Sequence, residues 1–168
     1  MPVFTPDEIR RHPRSWALFQ GGAISLFHRR DVLDATTAEL AAAGYRVNEV
    51  VCDATIDGPR LALQIACALA VTYGERGTEN GEPTEWVHAG SSLNRDALND
   101  LLHDLNFENA TGWVLVLSHF DSFQKREPVY AQDILGILAT HHRRHLLRGN
   151  RLLALVQADD PRFDERLN

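Results

Sequence analysis

Two short runs with no polar side chain, WVLVL at 113–117 and LLALV at 152–156, set the tightest limits on how this chain can fold. Five apolar residues bounded by turn signals are too few for a buried helix and read as a strand covered on both faces. Between the runs, residues 128–147 carry helical periodicity and stop just before Gly149. A strand, a long helix and a second strand in that order join parallel neighbours. A third segment, YRVNEVVC at 45–52, alternates and is rich in β-branched residues. The spacing therefore predicts an α/β fold with a small parallel sheet (strands at about 46–52, 113–117 and 152–156) packed with helices.

The remaining segments fit around that sheet. Residues 5–15 read as a capped helical turn or arm between Pro6 and Pro13. Two apolar runs flank Gly21-Gly22, a spacing that predicts an N-terminal β-hairpin. A helix follows over 31–43 with Gly44 at its C-cap. Asp57-Gly58-Pro59 opens another, running to about Tyr73 with Leu61, Ile65, Leu69 and Val71 on its apolar face. Residues 74–91 form a long Gly- and Glu-rich loop, and 93–105 a further helix. The 168 residues suffice for one domain with its own core. We divide it into an N-terminal extension (1–45, hairpin and helix), a core (46–158) and a tail (159–168). Cys52 and Cys67 match no metal or redox spacing and read as small buried hydrophobes of a reducing, cytoplasmic compartment. Pro2, Pro6, Asp7 and Glu8 interrupt any leader-like run, and the apolar stretch at 61–73 is too short to span a membrane.

Charge is more informative in its placement than in its sum. The chain carries a net charge of −6. Eight acids fall within 75–110, with only Arg76 and Arg95 among them. Such a surface repels nucleic acid and attracts basic partners. Within it, the helix at 93–105 places Ala97, Leu98, Leu101, Leu102 and Leu105 on one face and Asp96, Asp100 and Asp104 on the other. Like charges at i, i+4 each cost about 0.2–0.5 kcal/mol. A wet face selected only for solubility mixes acids with bases; this one does not, and suits contact with a basic surface.

The string Asn94-x-Asp96-Ala97-Leu98-x-Asp100 resembles the signature helix of the barstar family, intracellular inhibitors of barnase-type ribonucleases. The resemblance continues through WVLVL, AQDILGILATHHRRHLL and GNRLLALVQ, covering about 46–158, and the preceding segment is similar to an extension on larger barstar-like proteins. It implies a ribonuclease inhibitor or immunity protein, one half of a toxin–antitoxin pair. Its partner would be a basic ribonuclease, with no direct nucleic acid, membrane or small-molecule ligand. It also implies that Asp96 and Asp100 enter the enzyme's active site, Asp100 at the place of a substrate phosphate. Asn94, Asn99 and Asp104 would lie at the same interface. The family's aromatic-aromatic-Gly run before the helix is replaced here by Val87-His88-Ala89-Gly90, so Trp86 or His88 would stand in for the aromatic contact. Asn99 occupies a helix position where the family can carry Trp, and Leu101 one where Cys is usual. The alternative implied by these departures is a barstar-fold scaffold that has lost inhibition.

Other candidates are weaker. His141 and His145 stand at i, i+4, a metal-site spacing, but no third ligand is near and they continue the stripe of Ile134 and Leu138. They read as the end of a core face, with no metal. Arg143, Arg144, Arg148 and Arg151 complement a helix C-terminus. Asp53 and Asp57 follow a strand and read as loop residues. No Gly-rich phosphate loop, nucleophile elbow or activated cysteine is present, so no catalytic residue and no cofactor is expected.

Overall fold

The computed structural model describes residues 22–69, 92–108 and 110–160, together with Leu18 and Phe163. Their elements run β1 (Ile24–Phe27), α1 (Arg30–Ala42), β2 (Tyr45–Val51), α2 (Gly58–Ala68), α3 (Arg95–His103), β3 (Gly112–Ser118), α4 (Phe120–Arg126), α5 (Pro128–Leu147) and β4 (Leu152–Gln157). The four strands form one sheet in the order β1-β4-β3-β2, and every pair is parallel. Val47 lies opposite Val114, and Leu115 opposite Ala154. β3 and β4 occupy the centre and all their residues are buried, which is why they are apolar over 113–117 and 152–156, with Ser118 and Gln157 the polar residues at their C-terminal ends.

Alternation along the strands divides the core in two. Val114, Val116, Leu153 and Leu155 meet Leu33 and Leu40 of α1 on one face. Trp113, Leu115, Leu117, Leu152, Ala154 and Val156 point the other way, into the larger cluster built by α2, α3, α4 and α5. β1 and β2 lie at opposite edges, so α1 carries the chain across the sheet in one direction, and β2, β3 and β4 return in the other. Right-handed crossovers put helices on opposite faces when the direction of travel reverses. The chain follows that rule.

The expected N-terminal hairpin is not what the sheet contains. Leu18, in the first of the two apolar runs, is helical and packs on the α1-side cluster. Its neighbours in that run, 16–17 and 19–20, lie outside the described residues. The second run is a strand, β1, but its partner is β4, with Ile24 beside Ala154. The central strand β4 has a buried outer edge whose N–H and C=O groups need partners, and β1 supplies them. The arm expected at 5–15, the loop at 74–91 and the continuation of α2 over 70–73 also lie outside the described residues. α4 was not expected from the sequence. It buries Phe120 and Phe123 one turn apart, with their rings 5.8 Å from each other.

Local chemistry explains the helix ends. Asp57 caps α2 by accepting from the Arg60 N–H at 2.9 Å, while Asp53 accepts from Thr55 and the Ile56 N–H in the loop before it. Both acids after β2 are thus structural. α5 ends in a Schellman motif: Asn150 N–H reaches the His145 carbonyl and Gly149 N–H the Leu146 carbonyl, with Gly149 at φ 84°. Cys52 is buried as expected, and desolvation pushes its thiol up to about 12. Cys67 is instead exposed, on the outer side of α2. No described helix is long and apolar enough to cross a membrane.

Candidate protein-binding site

α3 begins where the Asn94 side chain accepts from the Ala97 N–H at 2.8 Å, satisfying one of the helix's orphan donors. From there Leu98, Leu101 and Leu102, followed by Leu105, are buried, and the helix packs against α2 on one side and α5 on the other. Asp96, Asp100 and Asp104 are exposed on the outer face. Asp96 and Asp100 make no hydrogen bond or ion pair among the described residues. Asp104 is 84% exposed and bonds to the His103 ring, 2.8 Å away.

The one arginine on the helix does not neutralise this face. Arg95 is turned aside to pair with Asp133 of α5, its guanidinium 5.5 Å over the Tyr130 ring. Two histidines extend the same seam. Nε2 of His141 donates to the Asn99 side-chain oxygen at 3.1 Å, and Nε2 of His145 donates to the Leu102 carbonyl at 2.8 Å, an otherwise unpaired group at the end of α3. Burial, with His145, Arg144 and His103 nearby, pushes the His141 imidazole down to about 4. Burial lowers His145 as well, with Arg148, Arg144 and His103 acting in the same direction. Both rings are therefore neutral near pH 7, each with a bare Nδ1 in the interior. They fasten α3 to α5, the arrangement expected of core residues. Among the described residues, no group of three or more His, Cys, Asp or Glu is placed to hold a metal ion.

The residues singled out in the sequence thus separate. Asp96, Asp100 and Asp104 share one solvent face. Asn94 caps the helix, and Asn99 faces α5. Trp86 and His88 lie outside the described residues. What the sequence did not reveal was the clasp of Arg95, Asp133, Tyr130 and His141, because side chains 40 positions apart show no local periodicity.

Comparison with known proteins places a family on this segment. Residues 88–157 match the model of Barstar (barnase inhibitor). That segment of the chain is similar to the Barstar family. The matched range contains α3, β3, α4, α5 and β4, and so the whole acidic face and the clasp beneath it. β1, α1, β2 and α2 precede it, so the match is narrower than the resemblance over 46–158. The family is one of inhibitors rather than enzymes. No curated protein matches the chain.

Proposed function

We propose that the protein inhibits a basic, barnase-type ribonuclease by presenting the outer face of α3 to its active site. The observation that carries this reading is the pair Asp96 and Asp100. Both are exposed and without hydrogen-bond or ion-pair partners among the described residues, on a helix whose only arginine is committed to Asp133. A ribonuclease site is lined with cations that hold a polyanion. A carboxylate on a rigid helix competes there through charge-assisted hydrogen bonds and is guided in by long-range attraction. Asp100, at the middle of the stripe, takes the place of the phosphate, and Asp104 lies toward the rim. Trp86 or His88 supplies the flanking contact. On this reading the protein is an immunity partner of a cytoplasmic nuclease and has no catalytic activity of its own. The pairing of β1, in the 1–45 segment, with β4 of the 46–158 core supports reading the chain as a single domain.

A second reading, a scaffold that binds a basic protein without inhibiting it, draws on Asn99. Where the family can offer a large aromatic side chain to the enzyme, this chain has an amide bonded inward to His141. One titration separates the two. Barnase-type ribonuclease activity is measured against wild type and Asp100→Ala, beside a thermal melt of each. Truncating one partner of a buried charge pair costs on the order of 2–5 kcal/mol of binding, while stability stays within about 0.5 kcal/mol. Equal inhibition by two folded proteins removes the acidic face as the site; binding without inhibition favours the scaffold.

A further inference from the structure

α5 carries an outward seam of which, among the described residues, only Asp133 is engaged by another element. Residues 129, 133, 136, 140, 143 and 147 alternate spacings of four and three, the repeat of a two-helix contact. Val129 and Leu147 at its ends are 68% and 79% exposed, far more than other large apolar side chains of the helix. Gly136 at the middle is exposed, and a Cβ there would meet nothing within 4 Å. A mid-helix glycine is about 0.8–1 kcal/mol less favourable than alanine, and neither its backbone angle nor any neighbour within the protein requires it. Thr140 turns its hydroxyl back to the Gly136 carbonyl at 2.8 Å, which leaves its methyl group for the outside.

We propose that this seam is the self-association surface of the protein, two copies pairing antiparallel through α5 about a two-fold axis at Leu138. Read antiparallel about that position, Val129 falls opposite Leu147, Asp133 opposite Arg143, and Gly136 opposite Thr140. Each pair is complementary: apolar with apolar, acid with base, small with small. A parallel pairing in register would set Asp133 against Asp133 and Arg143 against Arg143, which is repulsive. Arg143 is exposed and makes no hydrogen bond or ion pair among the described residues. Asp133 shares its carboxylate with Arg95 and is still 38% exposed. The contact is isologous, so it closes at two copies. Its span, about 27 Å at 1.5 Å per residue, is that of a single helix pair and predicts a reversible dimer rather than an obligate one. Gly136 and Thr140 let the two axes approach to about 8 Å, the short end of the range for packed helices.

The test is sedimentation of the full chain from ~1 µM to ~1 mM, a range that brackets a weak dissociation constant. Wild type is expected to pass from monomer to dimer. Gly136→Gln is expected to remain monomeric with an equal or higher melting temperature, because the side chain improves the helix and blocks only the outside. Arg143→Asp and Asp133→Arg are each expected to remain monomeric alone, yet an equimolar mixture should dimerise, because both cross-pairs then join Arg to Asp. Because Asp133→Arg also removes the partner of Arg95, its fold is verified by circular dichroism. Gly136→Gln and Arg143→Asp decide the question without it. A wild-type protein that stays monomeric throughout, or a dimer that survives both of these substitutions, overturns the proposal.

Discussion

His141 and His145 show how one residue type can serve the binding face without touching a partner. Each sends its Nε2–H to α3 and keeps Nδ1 unprotonated in the core. A proton added to either ring would be a buried cation with no acceptor, facing the other imidazole together with His103, Arg144 and Arg148. Asp104, at the end of α3, is exposed and already bonded to His103. In the unfolded chain the same rings titrate near 6.5. The native state therefore binds fewer protons than the unfolded state between about pH 6.5 and pH 4, and stability falls as the pH drops through that window. Above it both states are neutral and the contribution is constant. The expected loss from His141 by pH 5 is on the order of 1–2 kcal/mol. Urea unfolding at pH 7, 6 and 5 measures it. His141→Gln, which keeps a donor for Asn99 but cannot titrate, should flatten the decline; an unchanged slope would mean the ring is not buried as described. The burial of these histidines was legible in the sequence from the stripe they continue with Ile134 and Leu138. Their partners on α3 were not, since only the sheet's topology brings α5 beside α3.

At the scale of elements, the central strands were the most legible part of the chain, because double burial leaves five-residue runs with no polar side chain, 113–117 in β3 and 152–156 in β4. The edge strands were harder. β2 buries only Tyr45 and Val50, one in each core cluster, yet its β-branched run reads correctly, whereas β1 has four residues and a glycine pair before it that mimics a hairpin turn. Local turn chemistry there was overridden by the free edge of β4. α4 was missed because seven residues give only one pair of core positions, Phe120 and Phe123. α3 was legible from its amphipathic period, whereas its cap, Asn94, was read only as an interface residue; the cap can be tested directly. Asn94→Ala removes the acceptor for the Ala97 N–H and is expected to lower stability by about 1 kcal/mol. Fraying should extend to Asp96 in the first turn, whose position the cap fixes. Asn94→Asp keeps the acceptor and adds negative charge at the positive end of the helix dipole, so it should match or slightly exceed wild type. Denaturation midpoints of the three proteins decide it. A loss of stability in Asn94→Asp equal to that in Asn94→Ala would show that the cap geometry is not what holds the helix start.

Over the whole molecule, charge is sorted by position rather than balanced. The outer face of α3 is acidic, while the exposed arginines Arg143, Arg144 and Arg148 collect at the C-terminal end of α5. A basic enzyme approaching from solution meets a directional field, so its association rate should depend on ionic strength. The three aspartates should contribute to different steps. On the proposed reading, Asp100, central on the stripe, would be desolvated once bound, and its loss should act mainly on dissociation. Asp104, 84% exposed at the helix end, stays in solvent and acts mainly while the partner is still approaching. Stopped-flow association and dissociation rates, measured from low salt to ~1 M, where the screening length shrinks to about 3 Å, distinguish the two. Asp104→Ala is expected to slow association at low salt, to flatten its salt dependence, and to leave dissociation nearly unchanged. Asp100→Ala is expected to raise the dissociation rate by roughly 30-fold or more, the kinetic equivalent of 2 kcal/mol or above, with a smaller effect on association. If both substitutions accelerate dissociation equally, the partner covers the whole stripe, and the division between a central and a rim aspartate is wrong.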